Sequence, residues 1–310
     1  MILRKLEYLI ALAKEGHFAR AAAACHVSQP TLSAGIQQLE LELGVMIVKR
    51  GQRFQGFTPE GEIVLAWAQR IAVERQRLHQ ELRDRSGQLA GTLRIGVIGS
   101  TTPISSYLTI PFGECHPKVS LSIEAFVAAE IQQGLEEFSL DVGVTYLDEK
   151  LRRQTRTQTL YAEEYQLLIK RGTELSGRTS VSWEEVRGLP LCLFTPESQI
   201  LGTAESELLW GKQDRLPHVA TRSILVVMDY VRTGKWGSVV PRPIHPMIVN
   251  DTELEAIPLP NTGETPCMGI VIPHREPASP LAEAFFEIAT SPEILRRLED
   301  CLRPAGVAQT

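Results

Sequence analysis

Apolar residues recur every three or four positions through the start of the chain, and the breaks fall at turn-forming residues. Leu3, Leu6, Leu9, Ile10 and Ala13 keep helical spacing and stop at Gly16. Phe18 to Cys25 is predicted to be a second, short helix, and its run Ala21–Ala24 is small enough for close helix packing. His26-Val27 is a turn. Ser28 suits the N-cap of a third helix, Pro30 its first turn, and Gly44 its end. In that helix Leu32, Ile36 and Leu39 form one narrow stripe. Opposite lie Pro30, Ser33, Ala34 and Gln37, without a single charge, where an ordinary solvated face would carry Lys and Glu. Gly35 in mid-helix costs about 1 kcal/mol relative to Ala, which points to close packing on the Ala-rich second helix.

MIVKRGQRFQGF (46–57) reads as an apolar strand, a basic turn and a return to Phe57: a β-hairpin wing carrying Lys49, Arg50 and Arg53. Thr58-Pro59 then opens a helix predicted to reach about Arg85. Val64, Ala68, Ile71, Arg75, Leu78 and Leu82 alternate at four and three, a seam suited to pairing with a second copy or to packing on the chain's own body. Gly87–Gly91 is a hinge.

From there the periodicity alternates between strand and helix. Strands are predicted at 93–98, 119–126, 141–146, 190–194, 218–222, 236–241 and 266–273, and 159–170 leads out to a second segment. Helices are predicted at 131–138, near 204–210, at 224–233, and after Ser279-Pro280 and Ser291-Pro292. The order runs out and back, giving an α/β body of two lobes with crossovers near 160–163 and 264–267. The expected division is 1–58, 59–90 and 91–310, with lobe I at 91–161 and 267–310 and lobe II at 162–266.

Charge sharpens the division. Residues 1–90 hold 12 Lys/Arg against 9 Asp/Glu (+3), and the rest 20 against 28 (−8), which together give the net −5. A basic head on an acidic body points to a polyanion partner for the head alone. No secretory signal and no apolar run of membrane-spanning length are read in the chain, so a cytoplasmic location is expected. The five scattered cysteines show no metal or redox spacing, which fits thiols acting as small apolar residues; a redox-sensing thiol is the alternative. No GxSxG, GxGxxG or His cluster supports catalysis, and no cofactor or metal is expected.

Helix, tight turn, uncharged helix and basic wing together point to double-stranded DNA. The third helix would enter the major groove, with Gln29, Ser33 and Gln37 at base edges. Arg50, Arg53 and the helix start (Ser28, Pro30, Thr31) would hold phosphates. A three-helix protein-interaction module would explain neither the bare face nor the wing. The run from Leu6 to Gly61, with FARAAAACHVSQPTLSAGIQQLELELG and FTPEG, resembles the winged helix-turn-helix of LysR-type transcriptional regulators. The two-lobed body is similar to the periplasmic-binding-protein-like effector domain of that family, so the resemblance covers essentially the whole chain. It implies a small-molecule effector, dimerisation through the linker helix and a homotetramer. Ala34 departs from the Arg or polar residue usual in the family, Ala128 from a usual Ser or Thr, and Trp236 from a usual Gly.

Ligands in such lobes bind at strand ends and helix starts. Ser100, Thr101 and Thr102 follow the first body strand and match the family's effector-binding loop; as helix caps alone they would need no ligand. Thr145, Thr195 and Ser223 are added from other strand and helix ends. Hydroxyl and N–H donors suit a small carboxylate or inorganic anion. The body alone would also suit a transporter-type binding protein, which the wing hairpin argues against.

Overall fold

The computed structural model describes residues 2–49, 54–84, 89–196, 219–261, 265–275 and 277–302. Two compact units emerge: residues 1–88 with 136–139, and residues 89–135 with 140–310.

In the first unit, α1 (Ile2–Glu15), α2 (Phe18–Ala24) and α3 (Gln29–Leu43) enclose one apolar core of Leu9, Leu12, Ala21, Leu32, Ile36 and Leu39. His17 caps α2, its Nδ1 accepting from Ala19 N–H at 3.2 Å. His26 takes φ +55°, the left-handed turn position. Ser28 caps α3, its Oγ accepting from Thr31 N–H, and Gly44 at φ +71° ends it. Gly35 corrects one expectation. A Cβ there would stand 2.7 Å from the Tyr8 ring, so the glycine admits an aromatic side chain of α1 rather than the alanines of α2.

Among the described residues the wing shows one antiparallel bridge, Val48–Phe57, with Lys49 N–H donating to Gly56 O at 3.1 Å. Phe54 packs edge-on against Phe18 and Phe57. The tip, with Arg50 and Arg53, lies outside the described residues. Glu40 ties α3 to this wing by accepting from Ile47 and Val48 N–H. Thr58 N–H donates to Ile47 O at 3.0 Å, and a Cβ on Gly61 would lie 2.1 Å from that same oxygen. The start of α4 (Pro59–Asp84) is therefore seated directly on the wing strand.

The expected seam along α4 divides. Val64 and Ala68 turn inward to the first unit's own core, and Arg75 pairs with Glu7 of α1. The apolar side chains left exposed are Ile63, Trp67, Ile71 and Leu78, a stripe displaced from the predicted one at its start. The side chain of Leu82 lies outside the described residues.

The second unit holds a five-stranded sheet in the order β2-β1-β3-β10-β4. Its strands are β1 (Gly91–Ile98), β2 (Val119–Phe126), β3 (Val142–Tyr146), β4 (Thr155–Ala162) and β10 (Cys267–Pro273). The first three are parallel, and β10 runs antiparallel to both β3 and β4. Helices α5 (Ser105–Cys115), α6 (Ala128–Glu136), α11 (Pro280–Ala289) and α12 (Pro292–Leu302) cover it, with Phe112 and Phe285 in edge contact at its centre. A second sheet, β8-β5-β9, is antiparallel: Ser238–Pro241, Tyr165–Lys170 and Leu254–Pro258. Beside it, β6 (Cys192–Phe194) and β7 (Val219–Thr221) form a parallel pair. Helices α8 (Trp183–Arg187), α9 (Ile224–Arg232) and the single turn α10 (His245–Ile248) complete this lobe. Short α7 (Glu149–Gln154), α8, α10 and β9 are not marked by the pattern of apolar positions, each being too brief to display a period. The helix expected near 204–210 lies outside the described residues.

The chain leaves the first sheet after β4 and returns into β10. Glu163 N–H donates to Pro266 O at 2.8 Å, so the two crossovers lie side by side. Glu163 is wholly buried. Its Oε2 accepts from the Tyr146 hydroxyl at 3.4 Å, and Oε1 has no partner among the described residues. Burial pushes its carboxyl from the ordinary 4.5 to about 8, against a smaller opposing effect of the Tyr146 bond. The Tyr161 hydroxyl beside it is also driven well up, first by burial and then by Glu163.

Candidate nucleic-acid interface and effector cleft

The bare face predicted on α3 is solvent-exposed. Gln29, Pro30, Thr31, Ala34 and Gln37 stand in solvent and Ser33 is half-buried, while Leu32, Ile36 and Leu39 are fully packed behind them. Ser28 and Thr31 hydroxyls lie 2.8 Å apart, so both hold the first turn of α3 in shape. The face offers amides and hydroxyls with their hydrogen-bonding capacity turned outward, mounted on a helix whose opposite side is immobilised by packing.

In the second unit a small cavity of about 60 Å3 opens between the lobes. Its walls include Gly99, Ser100, Phe126 and Glu130 from the first lobe and Phe194 and Arg222 from the second. Gly99 opens a six-residue 3-10 helix (Gly99–Ile104), and α5 follows from Ser105. A Cβ on Gly99 would come within 4.0 Å of the Arg222 carbonyl oxygen, so the lobes meet closely there. The Ser100 side chain is buried, and its hydroxyl has no hydrogen-bond partner among the described residues.

The six predicted effector residues separate on inspection. Ser100 lines the cavity. Thr101 is buried and donates its hydroxyl back to Ile98 O at 2.7 Å, as a cap rather than a ligand contact. Thr102 is exposed, and its carbonyl oxygen accepts from the Ser105 hydroxyl. Thr145, in β3, keeps a buried hydroxyl with no hydrogen-bond partner among the described residues and is not among the lining residues. Thr195 N–H donates to Thr221 O, and Ser223 N–H to the Thr221 hydroxyl, which places both at the ends of the β6–β7 pair. Neither is among the described lining residues.

Sequence reasoning missed Arg222. No cation stands near Ser100 in sequence, yet Arg222, directly after β7, lines the same cavity, and its guanidinium lies 3.7 Å from the Glu130 carboxylate of α6. Glu130 also accepts from Val127 N–H at 2.9 Å, which fixes the start of its helix. Trp236 does not wall this cleft. It packs edge-on against Tyr230 and lines a separate cavity of about 420 Å3 on the second lobe.

Among the described residues, no helix is long and apolar enough to cross a membrane, and no His, Cys, Asp and Glu group could hold a metal ion. Burial pushes the Cys25 and Cys192 thiols up, away from thiolate chemistry.

A helical head with an exposed recognition face, followed by a two-lobed α/β unit with a cleft, defines a ligand-responsive DNA-binding protein. Residues 3–62 match the family described as bacterial regulatory helix-turn-helix protein, lysR family, and residues 86–291 match the LysR substrate binding domain. The chain belongs to the LysR family of transcriptional regulators. It is 28% identical over 242 residues to the hydrogen peroxide-inducible genes activator of Dickeya chrysanthemi, covering 78% of this chain and 79% of that one. A full-length OxyR variant from Pseudomonas aeruginosa superposes with a TM-score of 0.64 at 26% identity, over 99% of this chain and 96% of the other. Full-length CbnR, solved in complex with its target DNA, shares the fold at a TM-score of 0.68 and 21% identity, over 96% and 100%.

Proposed function

We propose that this regulator senses a small oxyanion, a carboxylate or an inorganic anion, in the cleft between its lobes. The observation that carries the reading is the meeting of two donors on one cavity: the unpartnered, buried Ser100 hydroxyl and the Arg222 guanidinium. Charge-assisted hydrogen bonds are about twice as strong as neutral ones, and a carboxylate or tetrahedral anion can accept from both donors at once. Thr101 supports the loop by capping it. Thr102, Thr145, Thr195 and Ser223 are not among the residues lining this cavity and are assigned no ligand contact.

On DNA, Gln29, Ser33 and Gln37 would read base edges in the major groove, with Ser28, Pro30 and Thr31 presenting the helix start to a phosphate and Arg50 and Arg53 gripping the flanking backbone. CbnR, with the same fold, has been solved on its target DNA, which supports this docking. The exposed α4 stripe supports a dimer through that helix, and the exposed Ile110, Ile123, Leu225 and Val226 of the second unit supply further apolar surface for a tetramer. Effector binding would shift the lobe arrangement and, through the assembly, the spacing of the DNA-reading heads. This makes the chain a cytoplasmic regulator rather than an enzyme. The peroxide response in the relatives' names is a property of those proteins and is not carried over to this chain.

The test selects a high-affinity duplex from a random pool with the full chain. Small carboxylates and inorganic anions are then titrated against that complex. Ser100→Ala and Arg222→Gln are expected to abolish the response and leave effector-free DNA affinity unchanged. Gln29→Ala is expected to cost about 1–3 kcal/mol on the selected site and relax its sequence preference. A neutral hydrophobic effector, or variants that respond like wild type, would sink the reading.

A further inference from the structure

A third cavity, of about 90 Å3, lies in the second lobe outside the cleft. One wall is the sheet, with Gln166 of β5 and Ala256 and Pro258 of β9; the other is the turn carrying Arg242 and His245. Gln166 is the polar residue of an otherwise apolar strand core, only 6% exposed, and its Nε2 has no hydrogen-bond partner among the described residues. A buried amide donor left unpaired is costly, so it calls for an acceptor that the polypeptide does not supply.

The neighbours say what kind. Arg242 is held from both ends by Glu164: its N–H donates to the Glu164 carbonyl oxygen at 2.8 Å, and its guanidinium pairs with the Glu164 carboxylate. The Arg242 side chain is 18% exposed and that of Glu164 45%, so the anion of this pair is the partner with access to water. Burial, and then Arg242 beside it, pushes the His245 imidazole down, towards its neutral form. Gln166, Arg242 and His245 therefore line one cavity together with a single carboxylate, Glu164, which pairs with Arg242 and leaves Gln166 Nε2 without a partner among the described residues.

We propose that this cavity is a second ligand site, independent of the cleft, for the oxyanion group of a small carboxylate or of inorganic phosphate. The ligand takes the place of the Glu164 carboxylate on Arg242 and accepts from Gln166 Nε2 as well, while Glu164 swings into solvent. A two-oxygen acceptor bridges both donors, which Glu164 does not do. Because Glu164 adjoins Glu163 in the outgoing crossover, occupancy is felt where the lobes are joined.

Calorimetric titration of the full chain carrying Arg222→Gln, with sodium acetate in one series and inorganic phosphate in the other, tests this. At least one probe is expected to bind saturably. Acetate alone assigns the site to carboxylates, phosphate alone to the free ion, and both to oxyanions in general. Arg242→Gln is expected to weaken binding by about tenfold or more, and Glu164→Gln to tighten it about threefold by removing the competing charge. Gln166→Leu is expected to weaken binding about fivefold while the melting temperature holds or rises, which separates a lost donor from a lost fold. The proposal is overturned if neither probe binds by about 50 mM, a range that covers weak metabolite affinities. It is equally overturned if binding ignores all three substitutions.

Discussion

The Arg222 guanidinium of one lobe stands 3.7 Å from the Glu130 carboxylate of the other, at the wall of the cavity that also receives Ser100. Both side chains are about half exposed, so the pair adds little stability. Its effect falls on the ligand, because Glu130 occupies the cation that an anionic effector needs. Glu130→Gln is expected to leave thermal stability nearly unchanged and to tighten effector binding roughly fivefold, corresponding to about 1 kcal/mol. Calorimetry with the identified effector checks this. Weaker binding in Glu130→Gln would show that Glu130 is itself a ligand contact.

Gly35 gives a prediction opposite to its helix propensity. Alanine in mid-helix is ordinarily worth about 1 kcal/mol over glycine, yet here its Cβ would lie 2.7 Å and 2.9 Å from two atoms of the Tyr8 ring. Gly35→Ala is expected to lower stability by about 1–3 kcal/mol through overpacking. Tyr8→Leu combined with Gly35→Ala should recover part of that loss in denaturant unfolding. An additive double variant would remove Tyr8 as the cause.

The exposed stripe on α4 is expected to hold the dimer. Trp67→Glu with Ile71→Glu would place like charges across a helix pair, and sedimentation should report monomers at concentrations where wild type is associated. Val64→Glu is different: it disturbs the first unit's own core and should lower the melting temperature before it changes association. Unchanged sedimentation of the double variant would move the pairing surface elsewhere.

Glu163 makes stability depend on pH in an unusual direction. Its folded carboxyl titrates at about 8 against an ordinary 4.5, so between these values the unfolded chain loses a proton that the folded chain retains. The unfolded state binds fewer protons, and this group's contribution falls as pH rises from about 4.5, levelling off above about 8. Its size is several kcal/mol. Glu163→Gln keeps the shape without the titration and is expected to flatten stability across this window while raising it at pH 8. Urea unfolding at pH 5 and pH 8 measures both; parallel behaviour of variant and wild type would exclude Glu163 as the source.

The head of the chain was readable because its helices are amphipathic, capped and punctuated: Ser28, Pro30 and Gly44 mark α3 almost to the residue. The body's strands were readable as apolar runs, and β2 matches its predicted span. What pattern alone did not reveal depends on neighbours distant in the chain. Arg222 shares a cavity with Ser100 only because two lobes face each other, and Thr101 resembles a ligand residue until its hydroxyl is seen donating to the Ile98 carbonyl oxygen. The α4 stripe was misplaced at its start because Val64 and Ala68 satisfy a heptad and a local core equally well. Periodicity states which positions are apolar, not which partner they meet.

The seat of Gly61 on the Ile47 carbonyl, reinforced by Thr58, leaves no slack between the wing strand and the first turn of α4. The helix therefore works as a rigid lever with the wing at its short end. A change of a few degrees in the angle at which two such helices cross would appear as a change in the distance between two wings, and hence as a preference for a different operator spacing. A bulkier residue at position 61 would uncouple the lever, leaving each head able to grip DNA while the assembly loses its means of choosing between spacings.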